Sequence, residues 1–270
     1  MKAAVLVDNI GNNDLPGEWG LSFYIEYKEQ KILLDAGQTG LFAENADKLG
    51  LCLADVDYAV LSHAHYDHAD GMPVFFAKNN KAKLYLKESC GENCYDRKEG
   101  RMKYIGIKDG MLEKYRDRII RVPENLEISD GVWLISHSKE SMKKAEEREH
   151  MYLKEENDWV PDGFAHEQSL VFETESGIVI FNSCSHGGAD NIINEVSAAF
   201  PGRKIHAMIG GFHLYNKSEE YVRCFADKVR ATGVEKIYTG HCTGEEGYRI
   251  MRGVLGERVH QLEAGLEIVL

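Results

Sequence analysis

Between Tyr58 and Gly71 an apolar run, Tyr58-Ala59-Val60-Leu61, passes straight into Ser62-His63-Ala64-His65-Tyr66-Asp67-His68-Ala69-Asp70-Gly71. Four groups of metal-ligating type, His63, His65, Asp67 and His68, thus fall within six residues, directly behind a segment that reads as a buried strand. His63 and His65 are two apart, so in extended backbone both side chains point the same way. Asp67 and His68 follow where the chain turns toward a helix, and they can face a second ion. Imidazole and carboxylate suit zinc, iron, manganese or related divalent ions. A polar loop with scattered histidines is the plainer reading, and so dense a cluster behind a buried strand argues against it. A short motif cannot fill two metal shells, so distant ligands are required.

Strands and helices alternate around this motif. Ala3 to Val7 reads as a buried strand, Ser22 to Tyr27 and Lys31 to Asp35 as a hairpin, and Leu41 to Leu49 as a helix stopped by Gly50. Lys83 to Leu86 is a further strand. The second half repeats the plan: a hairpin at Ser169 to Glu173 and Gly177 to Asn182, a helix at Asn191 to Phe200, and a strand at Lys204 to Ile209. An amphipathic helix over Ser218 to Ala231 with Ser218 as N-cap and a strand at Lys236 to Thr239 follow. Thr243-Gly244-Glu245-Glu246 reads as a capping box starting a helix after His241, and Leu266 to Leu270 as a closing strand. Hairpins beside βα units imply an α/β fold with mixed sheets and helices outside them. The expected organisation is one domain over 1–270 with an insertion at about 87–165, rich in charge and aromatics. Within it Arg118 to Val122 and Gly131 to Ser136 look like strands, and Ser138 to Lys154 is highly charged. The stretch reads as a solvated insertion or as a cover over the site.

Composition narrows the partners. A formal net charge of -12 repels polyanions at long range, which disfavours nucleic acid, and no apolar run is long enough to span a membrane. The start, Met1 to Asp8, is charged too soon for a signal peptide, and six cysteines then read as thiols, so a cytoplasmic location is expected.

Among the remaining histidines, His186, His213 and His241 each follow an apolar strand and have glycines close by, which permits close backbone approach. His166 instead precedes a strand. His137, His150, His206 and His260 lack this setting, and His206 reads as a core or sheet-face residue.

His63-Ala64-His65-Tyr66-Asp67-His68 resembles the HxHxDH signature of the metallo-β-lactamase superfamily. Asn182-Ser183-Cys184-Ser185-His186-Gly187, Gly210-Gly211-Phe212-His213-Leu214, His241-Cys242-Thr243-Gly244 and Tyr104-Ile105-Gly106 resemble one branch of it. That branch is named after dihydropterin–aminobenzene ribofuranosyl phosphate synthase. The resemblance implies an αββα sandwich, two mixed sheets flanked by helices, with a dinuclear metal site along one edge. It implies His63 and His65 as ligands of the first ion, and Asp67, His68 and His241 as ligands of the second. His186 is preferred as the third histidine of the first site, with His166 as competitor. Cys184 stands where many superfamily members have a bridging aspartate, and is either a soft ligand or a small buried residue.

Zinc is the expected ion, with manganese or iron as alternatives, one or two per chain. Asp67 is expected to hold the nucleophilic water, and His213 to act as an electrophile or proton donor, unless it merely anchors its Gly-rich turn. Arg101, Tyr104 and Lys108 are candidates for an anionic substrate. The reaction expected is hydrolysis of a small anionic ester, a phosphoester above all. The alternative is a transferase joining a dihydropterin to an aminobenzene ribofuranosyl phosphate. An oxygen-reducing iron enzyme would need a flavin domain that this length leaves no room for. A metal sensor would close its coordination shell.

Overall fold

The computed structural model describes residues 1–137 and 149–270. Of the charged stretch Ser138 to Lys154, residues 138–148 lie outside these. The described chain builds two seven-stranded sheets and a smaller four-stranded one. The first sheet runs, edge to edge, through Glu267–Val269, Lys2–Val7, Ser22–Tyr27, Gln30–Leu34, Tyr58–Val60, Lys83–Lys87 and Ile119–Val122. The second runs through Val259–Gln261, Lys236–Thr239, Ile205–Gly211, Gly177–Cys184, Gln168–Thr174, Val132–Ser136 and Leu126–Ser129. In each sheet one half pairs parallel and the other antiparallel. This is the mixed-sheet pattern that hairpins beside βα units require.

The strands alternate with period two between different apolar layers. Phe23, Ile25, Ile32, Leu34 and Val60 of the first sheet meet Phe172, Val179, Phe181 and Ile209 of the second in a central core, where Phe23 packs edge-on to Phe181 at 5.3 Å. The opposite face of the first sheet, including Leu33, Ala59 and Leu84, packs under the helices Leu41–Lys48 and Met72–Lys78. The opposite face of the second, including Ile180 and Met208, packs under Ala189–Ala199, Glu219–Ala231 and Gly244–Leu255. The Glu219–Ala231 helix shows why: Val222, Phe225, Ala226 and Val229 recur at helical spacing and are buried. Ser218 Oγ accepts the Tyr221 N–H at 3.2 Å, a cap worth about 1 kcal/mol. The layers are helix, sheet, sheet, helix, as expected.

One expectation, the capping box, is overturned. Thr243 caps no helix with its side chain. Its Oγ1 accepts the Phe212 N–H and bonds Thr239 Oγ1, and the helix is entered through a tight turn, His241–Thr243. His206 lies buried on the strand Ile205–Gly211, as a sheet-face residue should, with its ring bonded to Glu235 at 2.7 Å.

The stretch 87–165 divides. Ile119–Val122 joins the first sheet, and Leu126–Ser129 and Val132–Ser136 the second. Cys94–Lys98, Arg101–Tyr104, Met151–Glu155 and Asp158–Pro161 make the small antiparallel sheet, a cap. It is docked on the motif loop: His65 bridges to Gly106, and Tyr66 N–H donates to Ile105 O at 2.9 Å.

Candidate metal centre

Five parallel-running strands end at the same edge of the sandwich, and each hands one or more polar residues to it. Gln30–Leu34 leads to Asp35, Tyr58–Val60 to His63 and His65, and Gly177–Cys184 to Cys184 and His186. Ile205–Gly211 leads to His213 and Lys236–Thr239 to His241. The short helix Tyr66–Ala69 carries Asp67 and His68. His63, His65, Asp67, His68, Cys184, His186, His213 and His241 are all buried. Asp35, His213 and His241 have positive φ, 57°, 53° and 46°, a conformation that ordinary side chains avoid and that is over-represented where geometry serves a site.

The structure brings the histidines into two overlapping groups. His63, His65 and His186 each offer a ring nitrogen within 4.8 Å of the others, and the His186 ring lies 5.2 Å from each of the other two. In the second group His241 Nε2 lies 3.3 Å from both Asp67 Oδ2 and His68 Nε2. His166 is engaged elsewhere: its Nδ1 accepts the Ala64 N–H at 3.2 Å and its Nε2 bonds Asp162 at 3.1 Å, with Cys94 Sγ at 3.7 Å. A metal group through His65, Cys94, Asp162 and His166 is sterically available too, but both nitrogens of His166 are already used within the fold.

Polar partners aim the ring nitrogens. Asp35 Oδ2 holds His68 Nδ1 at 2.8 Å and accepts Ser62 Oγ at 2.7 Å, while Asp35 Oδ1 accepts Ser62 N–H at 2.8 Å. Ser62 Oγ in turn meets His63 Nδ1 at 2.8 Å. His241 is fixed by Asn9 at Nδ1, 3.0 Å, and by Asp8, which accepts its backbone N–H at 2.9 Å. In each of these rings Nδ1 is tied and Nε2 is turned to the centre, which is how protein sites orient metal-binding imidazoles. Asp8, Asn9 and Asp35 escaped the sequence reading, although the signal that picked the histidines, a polar residue directly after an apolar strand, applies to them too.

Charge states suit a cation. Burial, reinforced by the neighbouring imidazoles, holds His63 well below the ordinary histidine value, and burial takes His65 down to about 3. Both are therefore neutral with a lone pair available at neutral pH. Burial alone would raise Asp67, but His68 and His241 outweigh it and keep the carboxylate ionised. His241 is the exception: burial alone would lower it, yet its bond to Asp67 raises it to about 9, so it must release a proton before it can ligate an ion. His63 Nε2 and His65 Nε2 are buried with no hydrogen-bond partner among the described residues. Such atoms are costly to leave unmet, and a divalent ion is the partner their chemistry fits.

The site opens into a cavity of about 270 Å3 lined on the sheet side by His65, Asp67, Cys184, His213, His241 and Cys242. Trp19 and Tyr215 form its sides, and the cap contributes Asp96, Lys98 and Lys103. The expected anion contacts are thus displaced. Lys98 and Lys103 line the wall, whereas Tyr104 bonds Ile107 O and Lys108 N–H donates to Asp70; Arg101 does not line it. His213 Nδ1 bonds Glu149 Oε2 at 2.7 Å, and Lys217 stands 3.5 Å from the other oxygen of Glu149. A larger cavity of about 640 Å3 lies between Asp8 and the helix Gly244–Leu255, but His241 is the one metal-type residue from the two groups that reaches it.

The chain belongs to the metallo-β-lactamase superfamily: the family model for that superfamily matches residues 19–141. Within it, the chain is 26% identical, over 94% of its length and 90% of the relative's, to a protein of Methanocaldococcus jannaschii named 7,8-dihydropterin-6-methyl-4-(beta-D-ribofuranosyl)-aminobenzene-5'-phosphate synthase. It is 30% identical to an uncharacterized protein of the same organism, over 89% of this chain and 90% of that one. The solved structure of Tm1679, described as a metal-dependent hydrolase of the beta-lactamase superfamily, matches with a TM-score of 0.83 at 25% identity, covering 100% of this chain and 99% of that one. The fold is that of the superfamily, and it carries the superfamily's capacity for divalent metal. No helix among the described residues is long and apolar enough to cross a membrane.

Proposed function

We propose that this chain is a metal-dependent hydrolase of small anionic phosphoesters. The observation that carries the reading is the cavity lined both by Lys98 and Lys103 of the cap, with Asp96 beside them, and by His65, Asp67 and His241. A dianionic phosphate in it would have two lysines, net of one aspartate, and the metal-type residues as neighbours. His63, His65 and His186 would hold one ion, and Asp67, His68 and His241 a second. Divalent ions bound there would supply Lewis acidity and a water acidified toward neutral pH. Zinc suits this imidazole-rich set, with manganese or iron as alternatives.

The chain's own residues do the rest. Ionised Asp67 accepts a hydrogen bond from the attacking water and orients it. His213 has Nδ1 committed to Glu149, so Nε2 is the nitrogen that can give a proton to the leaving oxygen. Burial alone would lower His213, but Cys242 and Glu149 outweigh it and raise it above the ordinary value, which favours a donor. The cap and the narrow cavity admit a small molecule and obstruct a polymer, and the net charge of -12 opposes polyanions beyond the site. Six free cysteines fit a reducing, cytoplasmic compartment.

The test is turnover of a chromogenic phosphomonoester and phosphodiester by zinc- or manganese-loaded protein, beside a structured RNA. Asp67→Asn retains the fold and lowers turnover by about 100-fold or more. RNA cleavage without small-ester turnover would overturn the reading. A second reading, transfer of a dihydropterin to an aminobenzene ribofuranosyl phosphate, is favoured by the name of the Methanocaldococcus relative. Product from those two substrates with silence on the esters would establish it instead.

A further inference from the structure

The cavity over the metal edge has an apolar part that a phosphate does not use. Trp19, Tyr66, Ile105, Met151 and Tyr215 line it beside the lysines and the metal-type residues. Trp19 is 42% exposed and Tyr215 50%. One exposed aromatic needs no explanation, but two that meet at one cavity make a patch of the kind that binds ligands. Their rings pack edge to face with centroids 5.8 Å apart. The Trp19 ring also lies 5.1 Å from that of His241, and the Tyr215 ring 5.6 Å from that of His213. Both aromatics are fixed by the elements that carry the site. Glu18, before Trp19, accepts the Gln38 and Thr39 N–H groups at 3.0 and 3.1 Å, and Gly20, after it, donates its N–H to Asn9 Oδ1 at 3.3 Å. Gly20 runs so close to Asp67 that a Cβ there would lie 2.6 Å from the Asp67 carbonyl oxygen. Tyr215 N–H donates to Cys242 O at 3.2 Å, and its Cβ packs over Gly244, where a side chain would collide with it. Rings anchored in this way lose little freedom when a ligand arrives.

We propose that the organic group of the ester is an aromatic ring seated against Trp19 and Tyr215. The inference rests on the proposed phosphoester hydrolysis for the place of the phosphate, and it names the substrate class within that reading: aryl and arylalkyl phosphates. The lysines and the metal edge take the phosphate, and the apolar lining takes the ring out of water. His213, the donor to the leaving oxygen, has its ring beside that of Tyr215, so the aromatic group lies on the leaving side. The water oxygen forms the new bond to phosphorus and the bond to the organic oxygen breaks. That oxygen takes a proton from His213, and the products are an aromatic alcohol and phosphate. Aromatic faces attract a ring edge-on or offset beyond what its area alone gives, which a saturated group of the same size does not obtain.

The experiment titrates zinc-loaded, full-length protein with 2-phenylethylphosphonate, 2-cyclohexylethylphosphonate and ethylphosphonate, whose P–C bonds resist hydrolysis. Calorimetry gives the affinities, and tryptophan fluorescence reports contact with Trp19. The phenyl compound is expected to bind about 10-fold or more tighter than the ethyl one and about 3-fold or more tighter than the cyclohexyl one. The preference falls in Trp19→Ala and in Tyr215→Ala. Trp19→Phe keeps most of it while losing the fluorescence change, which separates loss of the ring from damage to the fold. A cyclohexyl compound that binds as tightly as the phenyl one, binding of none of the three, or a preference that both alanine variants retain would overturn the proposal. Turnover of 2-phenylethyl phosphate beside ethyl phosphate, whose leaving groups are of similar basicity, keeps the two readings apart. Ring preference in binding without turnover of either ester removes only the hydrolysis. Turnover of both at equal kcat/KM, with no ring preference in binding, removes only the aromatic substrate class.

Discussion

Replacing Asp35 by asparagine changes one oxygen into an NH2 group and leaves shape and volume almost untouched. The backbone tolerates it, because Asn accepts the positive φ of 57° at this position as readily as Asp. The consequence is in the hydrogen-bond directions. Asp35 receives bonds from Ser62 N–H, Ser62 Oγ and His68 Nδ1 at 2.7 to 2.8 Å. An asparagine keeping its oxygen on Ser62 N–H must turn its NH2 toward Ser62 Oγ and His68 Nδ1. A donor facing Nδ1 favours the imidazole tautomer with its proton on Nε2, the atom turned to His241 and Cys184. That proton occupies the lone pair a metal needs. Losing such an orienting partner costs about 10- to 100-fold in metal affinity, or about 1.4 to 2.7 kcal/mol. Competition for zinc against a chromophoric chelator measures it, ion by ion. The loss should fall on the second ion, since His68 belongs to that group, with a smaller effect on the first through Ser62 and His63. Asp35→Asn protein that binds both ions with unaltered affinity would refute the argument that Asp35 sets the His68 tautomer.

His186→Ala should lower the metal content of the purified protein, while His166→Ala should leave it largely intact, because His186 shares a ligand group with His63 and His65 and both His166 nitrogens are used by Ala64 and Asp162. Elemental analysis showing the opposite order would reassign the third ligand. Asp8 supplies a pH test on metal-free protein. Burial raises it from 3.8 to about 6, against the bonds it accepts from Ile10 and His241. A carboxyl raised in the folded state contributes stability that is fully present below its unfolded value and is lost as pH rises through about 6. The difference of about two units amounts to roughly 3 kcal/mol. Asp8→Asn should therefore flatten the fall in thermal stability between pH 4 and pH 7, and equal slopes in variant and parent would sink the assignment.

The convergence of the histidines was legible because chemistry and pattern coincide there. An apolar strand that ends in His63, His65, Asp67 and His68 shows which edge of the sheet carries them, and His186, His213 and His241 repeat the signal. The carboxylates behind them were less visible. Asp35 follows an apolar strand as His63 does, but in isolation an acid before Ala36-Gly37 reads as the exit from a hairpin. Asp8 follows Val7 in the same way. Only the superposition of strand ends shows that both acids share an edge with the histidines. Glu149 sits in a charged stretch where nothing local distinguishes it, and its link to His213 spans 64 residues of sequence. The cap strands Cys94–Lys98 and Arg101–Tyr104 are charged and half exposed, so they lack the apolar alternation that marks strands. The capping box at Thr243 failed for a tertiary reason: Phe212 and Thr239 use the hydroxyl that the local pattern assigns to the helix.

The two halves of the sandwich each contribute an incomplete site. His63, His65, Asp67 and His68 come from the first sheet, and His186 and His241 from the second, so each proposed ion draws its donors across the seam. Without metal the donors crowd together: the His63 ring lies 4.3 Å from that of His68 and 4.6 Å from that of His65. The central core of Phe23, Phe172 and Phe181 fixes how the sheets face one another independently of the metal edge, and it holds those rings at a spacing they would not choose in water. The same packing keeps His63 and His65 neutral, since a protonated imidazole among buried neighbours is penalised by desolvation and by like charge. Preorganisation and basicity thus have one source. The apolar sandwich supplies a site in which the His63 and His65 nitrogens are already placed and deprotonated, and the energy of burying them unmet is returned when an ion arrives.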